Sequence, residues 1–239
     1  MSPKFFLRVA VAAAMLATGL AAQAGTVTLT SYKYGQNNVN VTLSSPNTPK
    51  TYNSGAGAFT ATLSGFAGYD GSYESYCVDL YEYFTPGQAY SGYTLLNADS
   101  YFNAAKAETL GKLIGYGTGL IGAAAAGMKD DVSTALQLAI WEVVYDSNAT
   151  LDSGPFRDGG SFRAQANSLL SASAGYSGAI NYELFVLSSG RPLGTAAGQQ
   201  DQLIWKESPS RRDLPEPASL ALVGLALGGA AFASRRRRA

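Results

Sequence analysis

The chain has 239 residues, 46% of them hydrophobic and 14% charged, with 27 Gly, 15 Tyr, one Cys and no His. Its 17 basic residues balance its 17 acidic ones, but Lys4, Arg8 and Arg235 to Arg238 lie at the two ends, leaving 11 basic against 17 acidic residues, net −6, in between. This balance excludes a basic nucleic-acid footprint, and the missing imidazole excludes Ser-His-Asp and Cys-His hydrolases and most catalytic zinc sites.

Residues 1–24 read as a secretory signal peptide: Lys4 and Arg8, an apolar run through VAVAAAMLATGLA, then Ala22-Gln23-Ala24 as a small-residue cleavage site before Gly25. The run is too short to span a bilayer comfortably. Residues 25–207 form one domain-sized body. Thr26–Tyr32 and Asn38–Ser44 alternate apolar and polar residues, the period of half-buried strands, and Gly35-Gln36-Asn37-Asn38 predicts a hairpin turn between them. Ala58–Leu63 and Glu74–Tyr83 predict further strands. The period changes at Asn97. Ala104, Ala107, Leu110, Leu113 and Ile114 have helical spacing, with Gly115 and Gly117 as the expected stop. Asp130–Asp146 predicts the clearest helix, with Asp130 or Asp131 as N-cap and Val132, Leu136, Ala139, Ile140 and Val143 on one face. A third helix is expected over Ser161–Leu170, then strands over Tyr182–Leu187 and Gln202–Trp205. The fold class is α+β, a largely antiparallel sheet or sandwich with a helical middle segment.

Residues 208–214 read as a polar linker. Pro215-Glu216-Pro217, sixteen small or apolar residues from Ala218 to Ala233, and Arg235 to Arg238 complete the chain. Arginines after an apolar run stay in the cytoplasm, so such a run stops transfer and leaves the body outside. The three-part pattern over residues 215–239 resembles the PEP-CTERM sorting signal of Gram-negative bacteria. That resemblance implies processing by an exosortase-type enzyme, transient membrane insertion of the C-terminal helix, and delivery to the cell surface or extracellular matrix.

One constellation suggests chemistry. A lone thiol in an exported protein is open to oxidation unless it is buried or capped. Cys77 sits in Tyr76-Cys77-Val78, and Gln137 lies in Leu136-Gln137-Leu138-Ala139-Ile140-Trp141, beside the apolar stripe of the best helix. A cysteine thiol condensing with a glutamine carboxamide expels ammonia and leaves an internal thioester, an acyl donor that needs neither histidine nor a cofactor. The two segments resemble the thioester domains of bacterial surface adhesins. There the Cys follows an aromatic residue or Leu and precedes an apolar one, and the Gln lies between apolar residues with two more three and four positions on. Leu136 stands where many members have Thr. The resemblance implies a Cys77–Gln137 thioester that couples covalently to an amine or hydroxyl on a surface or exopolysaccharide matrix component, without metal, cofactor or catalytic turnover.

Other readings stay open for the same residues. Cys77 can be a small buried hydrophobe or an intermolecular disulfide partner. Gln137 can bond a neighbouring backbone group and Trp141 can be a core aromatic, in a non-covalent structural or polysaccharide-binding matrix protein. Glu74, Asp79, Glu82 and Glu142 could hold a carboxylate pair for glycoside hydrolysis. Tyr73, Tyr76, Tyr81, Tyr83, Tyr90 and Tyr93 could stack on sugar rings, and Asp130-Asp131 could meet calcium, although the DxDxDG pattern is missing.

Overall fold

A computed structural model describes residues 24–44, 49–146, 148–176, 182–195 and 199–207. The expected signal peptide over 1–24, apart from Ala24, and the expected linker and the sorting segment from 208 onward lie outside the described residues. The chain divides into two compact units, 1–206 and 207–239, and the first holds the folded body.

Among the described residues seven strands and four α-helices build it: β1 (Gly25–Leu43), β2 (Lys50–Ser64), β3 (Gly71–Cys77), β4 (Ala89–Asn97), α1 (Ala98–Tyr101), α2 (Ala104–Ala123), α3 (Lys129–Tyr145), β5 (Phe156–Asp158), α4 (Arg163–Ala174), β6 (Tyr182–Ser188) and β7 (Gln202–Glu207). This is the expected α+β class. The strand order is β2-β3-β7-β6-β4-β1-β5, and β1 also pairs with β2, so six strands form a ring. The ladders with assigned register are antiparallel.

The expected hairpin inside residues 26–44 does not form. β1 runs straight through Gly35-Gln36-Asn37-Asn38 and pairs with β2 from Thr26↔Ser64 to Leu43↔Lys50, with register shifts between Leu29 and Asn37. Gly35 (φ +104°) and Gln36 (φ +72°) take left-handed backbone there, and the extra residues are absorbed as a bulge rather than a reversal. Two acids fix it: Asp130 Oδ1 accepts from Gly35 N–H at 2.9 Å, and Asp131 Oδ1 accepts from Asn37 Nδ2 at 3.1 Å. Neither acid is the N-cap. That position belongs to Met128, and both acids sit in the first turn of α3, where negative charge favours the helix dipole.

Gly115 and Gly117 do not stop a helix. α2 continues to Ala123, starting from Asn103, whose side chain accepts from Lys106 N–H. A Cβ at Gly117 would stand 2.7 Å from Leu136 Cδ2, so the glycine is where α2 lies against α3. The predicted strand over Glu74–Tyr83 ends early, at Cys77. α3 carries apolar residues on more than one face and is buried at every position from Val132 to Val144. It packs against β1, β2 and β3 on one side and α2 and α4 on the other, and is the central element of the core. Each fully buried Leu or Ile in it contributes about 1.5–3 kcal/mol of transfer free energy. Among the described residues no helix is long and apolar enough to cross a membrane. The apolar run at 218–233 lies outside them.

Candidate functional site

β3 delivers Cys77 to the core. Its last three residues, Ser75, Tyr76 and Cys77, are all buried and pair with Ile204, Leu203 and Gln202 of β7. Tyr76 stacks on Trp205, with ring centroids 5.9 Å apart and 17° between planes, and its hydroxyl lies 3.0 Å from Ser133 Oγ on α3. Ser133 Oγ in turn accepts from Ala58 N–H at 3.0 Å. Strand β3, strand β2 and the first turns of α3 are thereby tied together one turn before Gln137.

The carboxamide of Gln137 lies on the main chain of Cys77. Gln137 Oε1 accepts from Cys77 N–H at 3.0 Å, and Gln137 Nε2 donates to the Cys77 carbonyl at 2.8 Å. Both residues are buried. Sequence separation is sixty residues, so the pairing is a product of the fold. Sγ hangs from the same residue, and the distance between sulfur and acyl carbon is governed by the Cys77 χ1 angle alone once the carboxamide is held this way. The bonded N–H also lies on the carbonyl oxygen where negative charge would collect during attack on the acyl carbon, the arrangement of an oxyanion donor.

The thiol has its own partners, and sequence reading missed them. Cys77 Sγ donates to Gln200 Oε1 at 3.0 Å, and Gln202 Nε2 donates to Sγ at 3.3 Å. Gln200 is held at both ends, Nε2 donating to the Asp79 carbonyl at 2.8 Å and its own carbonyl accepting from the Tyr93 hydroxyl at 3.0 Å. Burial pushes the Cys77 thiol up to about 12, against the lowering effect of the Gln202 bond. The thiol is therefore protonated across the physiological range and a weak nucleophile as it stands. Gln202 opens β7 and Gln200 lies two residues earlier, in the loop before it, so no strand alternation in the sequence places both beside the sulfur.

The flanking positions are core. Val78, Leu136 and Ile140 are fully buried, as is Trp141, whose ring meets Tyr52 edge-on at 5.5 Å. A cavity of about 180 Å³ adjoins the pair, walled by Tyr32, Tyr52, Phe59, Phe84 and Trp141 and reaching Cys77, Gln137 and Gln200.

The four acids near these segments have separate duties. Glu74 is ion-paired with Lys33 at 2.7 Å. Asp79, raised above the usual carboxylate range by burial, accepts from the N–H groups of Tyr81 and Gly194 and from the Tyr145 hydroxyl. Glu82 is buried, and Glu142 borders a different cavity of about 750 Å³ together with Lys106 and Asp146. Of the six tyrosines, Tyr76, Tyr81 and Tyr93 are buried, Tyr73 and Tyr90 are half-buried and Tyr83 is exposed, so they do not form one stacking face. Among the described residues no group of three or more His, Cys, Asp or Glu is placed to share a metal ion.

Comparison with known proteins adds three findings. A search of curated proteins returns no match. Among solved structures, the N-terminal domain of the Streptococcus pyogenes pilus tip adhesin Cpa is similar over 75% of this chain and 98% of that domain, at 14% identity and a TM-score of 0.41. Residues 213–238 match the PEP-CTERM protein-sorting motif, so the chain carries the signal that marks an exported protein for processing by an exosortase-type enzyme.

Proposed function

We propose that the exported body, residues 25–207, holds an internal thioester between Cys77 Sγ and the acyl carbon of Gln137, and uses it to attach the protein covalently to an amine or hydroxyl on a surface or matrix polymer. The observation that carries this reading is the two-point seating of the Gln137 carboxamide on the Cys77 main chain. It holds the acyl group beside the only thiol in the chain, with an N–H on the carbonyl oxygen and an aromatic-walled cavity giving onto the site. In forming the bond, sulfur attacks the carbonyl carbon, the C–N bond breaks, and the thiol proton leaves on nitrogen as ammonia. The acceptor later attacks the same carbon and the sulfur leaves as thiol. The reaction consumes the acyl group, so the protein is a reagent and not an enzyme. The same bonds also favour a second reading, in which Gln137 ties α3 to β3 and the protein is a non-covalent structural or polysaccharide-binding component of the matrix.

Intact mass of the purified body separates the two. The thioester requires a mass one ammonia below the sequence mass and a thiol that resists alkylation until methylamine is added. Methylamine should then free Cys77 and leave an N-methylated Gln137. A body at full sequence mass, with Cys77 alkylated after denaturation and no amine uptake, would leave only the structural reading.

A further inference from the structure

The sulfur of Cys77 lies between two amides of opposite character, and neither belongs to Gln137. Gln200 presents a carbonyl oxygen to the S–H at 3.0 Å, whereas Gln202 presents an N–H to the sulfur itself at 3.3 Å. Both side chains are buried, Gln202 completely. Gln202 is fixed by the ladder, since it is the residue of β7 that pairs with Cys77 on β3. Gln200 is fixed through Asp79 and Tyr93. The two residues therefore address two different states of one atom. A thiol has a proton for Gln200 and a thiolate has none, while a thiolate is a far better acceptor for Gln202 than a thiol or thioester sulfur.

Building on the thioester reading above, we infer that Gln202 is the leaving-group donor of the acyl transfer, stabilising the sulfur as it departs, and that Gln200 receives the thiol once the sulfur has been protonated. The balance is complete within the site. An amine attacks the Gln137 acyl carbon, the C–S bond breaks, and its electron pair goes to sulfur against Gln202 Nε2. The proton lost by the attacking nitrogen then ends on sulfur, where Gln200 Oε1 accepts it. The Gln202 bond is weak to the thioester sulfur and strengthens as charge develops, so it lowers the barrier more than it stabilises the ground state. It also offsets the burial that holds the thiol up at about 12, a handicap for any leaving group in a site without histidine.

The test compares methylamine opening in the wild type, Gln202→Met and Gln200→Met, each checked for the missing ammonia and for folding by circular dichroism. Gln202→Met should open about tenfold to a hundredfold more slowly, less than the loss on removing one donor to an oxyanion because sulfur accepts more weakly. Gln200→Met should stay within about threefold of wild type, since its bond forms only after the C–S bond has broken. Equal rates for Gln202→Met and wild type would overturn the inference while leaving the thioester standing. A wild type without the mass deficit would defeat the thioester reading instead. A second measurement needs no thioester: in a Gln137→Ala background the thiol is free, and adding Gln202→Met should slow its alkylation by iodoacetamide at pH 8 because the thiolate fraction falls. A merely structural role predicts the opposite, faster alkylation as the packing loosens, and that result would also overturn the assignment.

Discussion

Gln137 and Cys77 are joined twice, carboxamide oxygen to amide N–H at 3.0 Å and carboxamide nitrogen to carbonyl at 2.8 Å, although one ends a strand and the other is buried in the middle of a helix. Both bonds use Cys77 main-chain groups that lie beyond Phe59↔Ser75, the last pair of the β2–β3 ladder, while Val78 N–H still donates to the Asp201 carbonyl on the β7 side, so the helix completes what the sheet leaves open. Gln137→Met keeps the length and removes both bonds, leaving a buried N–H and a buried C=O unpaired. At about 1–3 kcal/mol for each unsatisfied group, the loss should be about 2–6 kcal/mol in the urea-unfolding free energy of the unlinked body. A loss under about 0.5 kcal/mol would mean the two elements are not coupled through this pair.

Gly117 and Leu136 set how closely α2 approaches the helix that bears Gln137. A Cβ at Gly117 would meet Leu136 Cδ2 at 2.7 Å, and both residues are buried. Gly117→Ala should therefore destabilise by about 1–3 kcal/mol through overpacking, despite the better helix propensity of Ala. Adding Leu136→Val removes the clashing atom's reach, and the double variant should be more stable than the sum of the two singles predicts. Additive denaturant midpoints would show that the contact relaxes without cost.

What the sequence made legible follows from period and composition, and what it hid depends on contacts far along the chain. The strand at 26–32, the helix beginning near Asp130 and the strand at 182–187 all show in their own spacing. The Gly35-Gln36 bulge does not, because a turn and a bulge use the same residues, and the difference lies in Asp130 and Asp131 reaching back from α3. Gly117 reads as a helix stop locally, and only Leu136 reveals it as a seat. Tyr76-Cys77-Val78 and Leu136-Gln137 were visible as a pair through resemblance. Gln200 and Gln202 were not, since a polar residue opening a strand is unremarkable until a sulfur lies opposite.

Glu142 gives the fold a pH dependence of predictable sign. Burial, with Asp146 adding repulsion, raises its carboxyl from 4.5 to about 8, against the opposing N–H bonds of Thr150 and Ala149. The folded state thus holds a proton that the unfolded chain releases above about 4.5, and the unfolding free energy falls as pH rises from there through 8. The stabilisation is fully present below the ordinary carboxyl range and lost above 8. One proton limits the slope to about 1.4 kcal/mol per pH unit. Glu142→Gln, which keeps the shape without the titration, should flatten the slope of unfolding free energy between pH 5 and 8 and make the protein relatively more stable at pH 8.5. An unchanged slope in this variant would assign the dependence to Asp79 or Asp201, whose carboxyls burial also raises.

Processing at the two ends is testable apart from the chemistry of the body. Strand β1 begins at Gly25 and β7 ends at Glu207, so cleavage after Ala24 and within the matched sorting segment at 213–238 would leave every described strand and helix intact. Both cleavages follow from local signals: Ala22-Gln23-Ala24 for the leader, and Pro215-Glu216-Pro217, the apolar run and Arg235 to Arg238 for the tail. Terminal peptide mapping of the protein secreted by an exosortase-bearing host should give Gly25 as the first residue and no peptide containing Arg235 to Arg238. Replacing Pro215 and Pro217 with Ala should leave the leader cleaved but keep the tail, and the protein should then fractionate with the membrane, because the apolar run and its arginines are no longer removed. A fully trimmed C-terminus in that variant would show that the Pro-Glu-Pro element does not direct the cleavage.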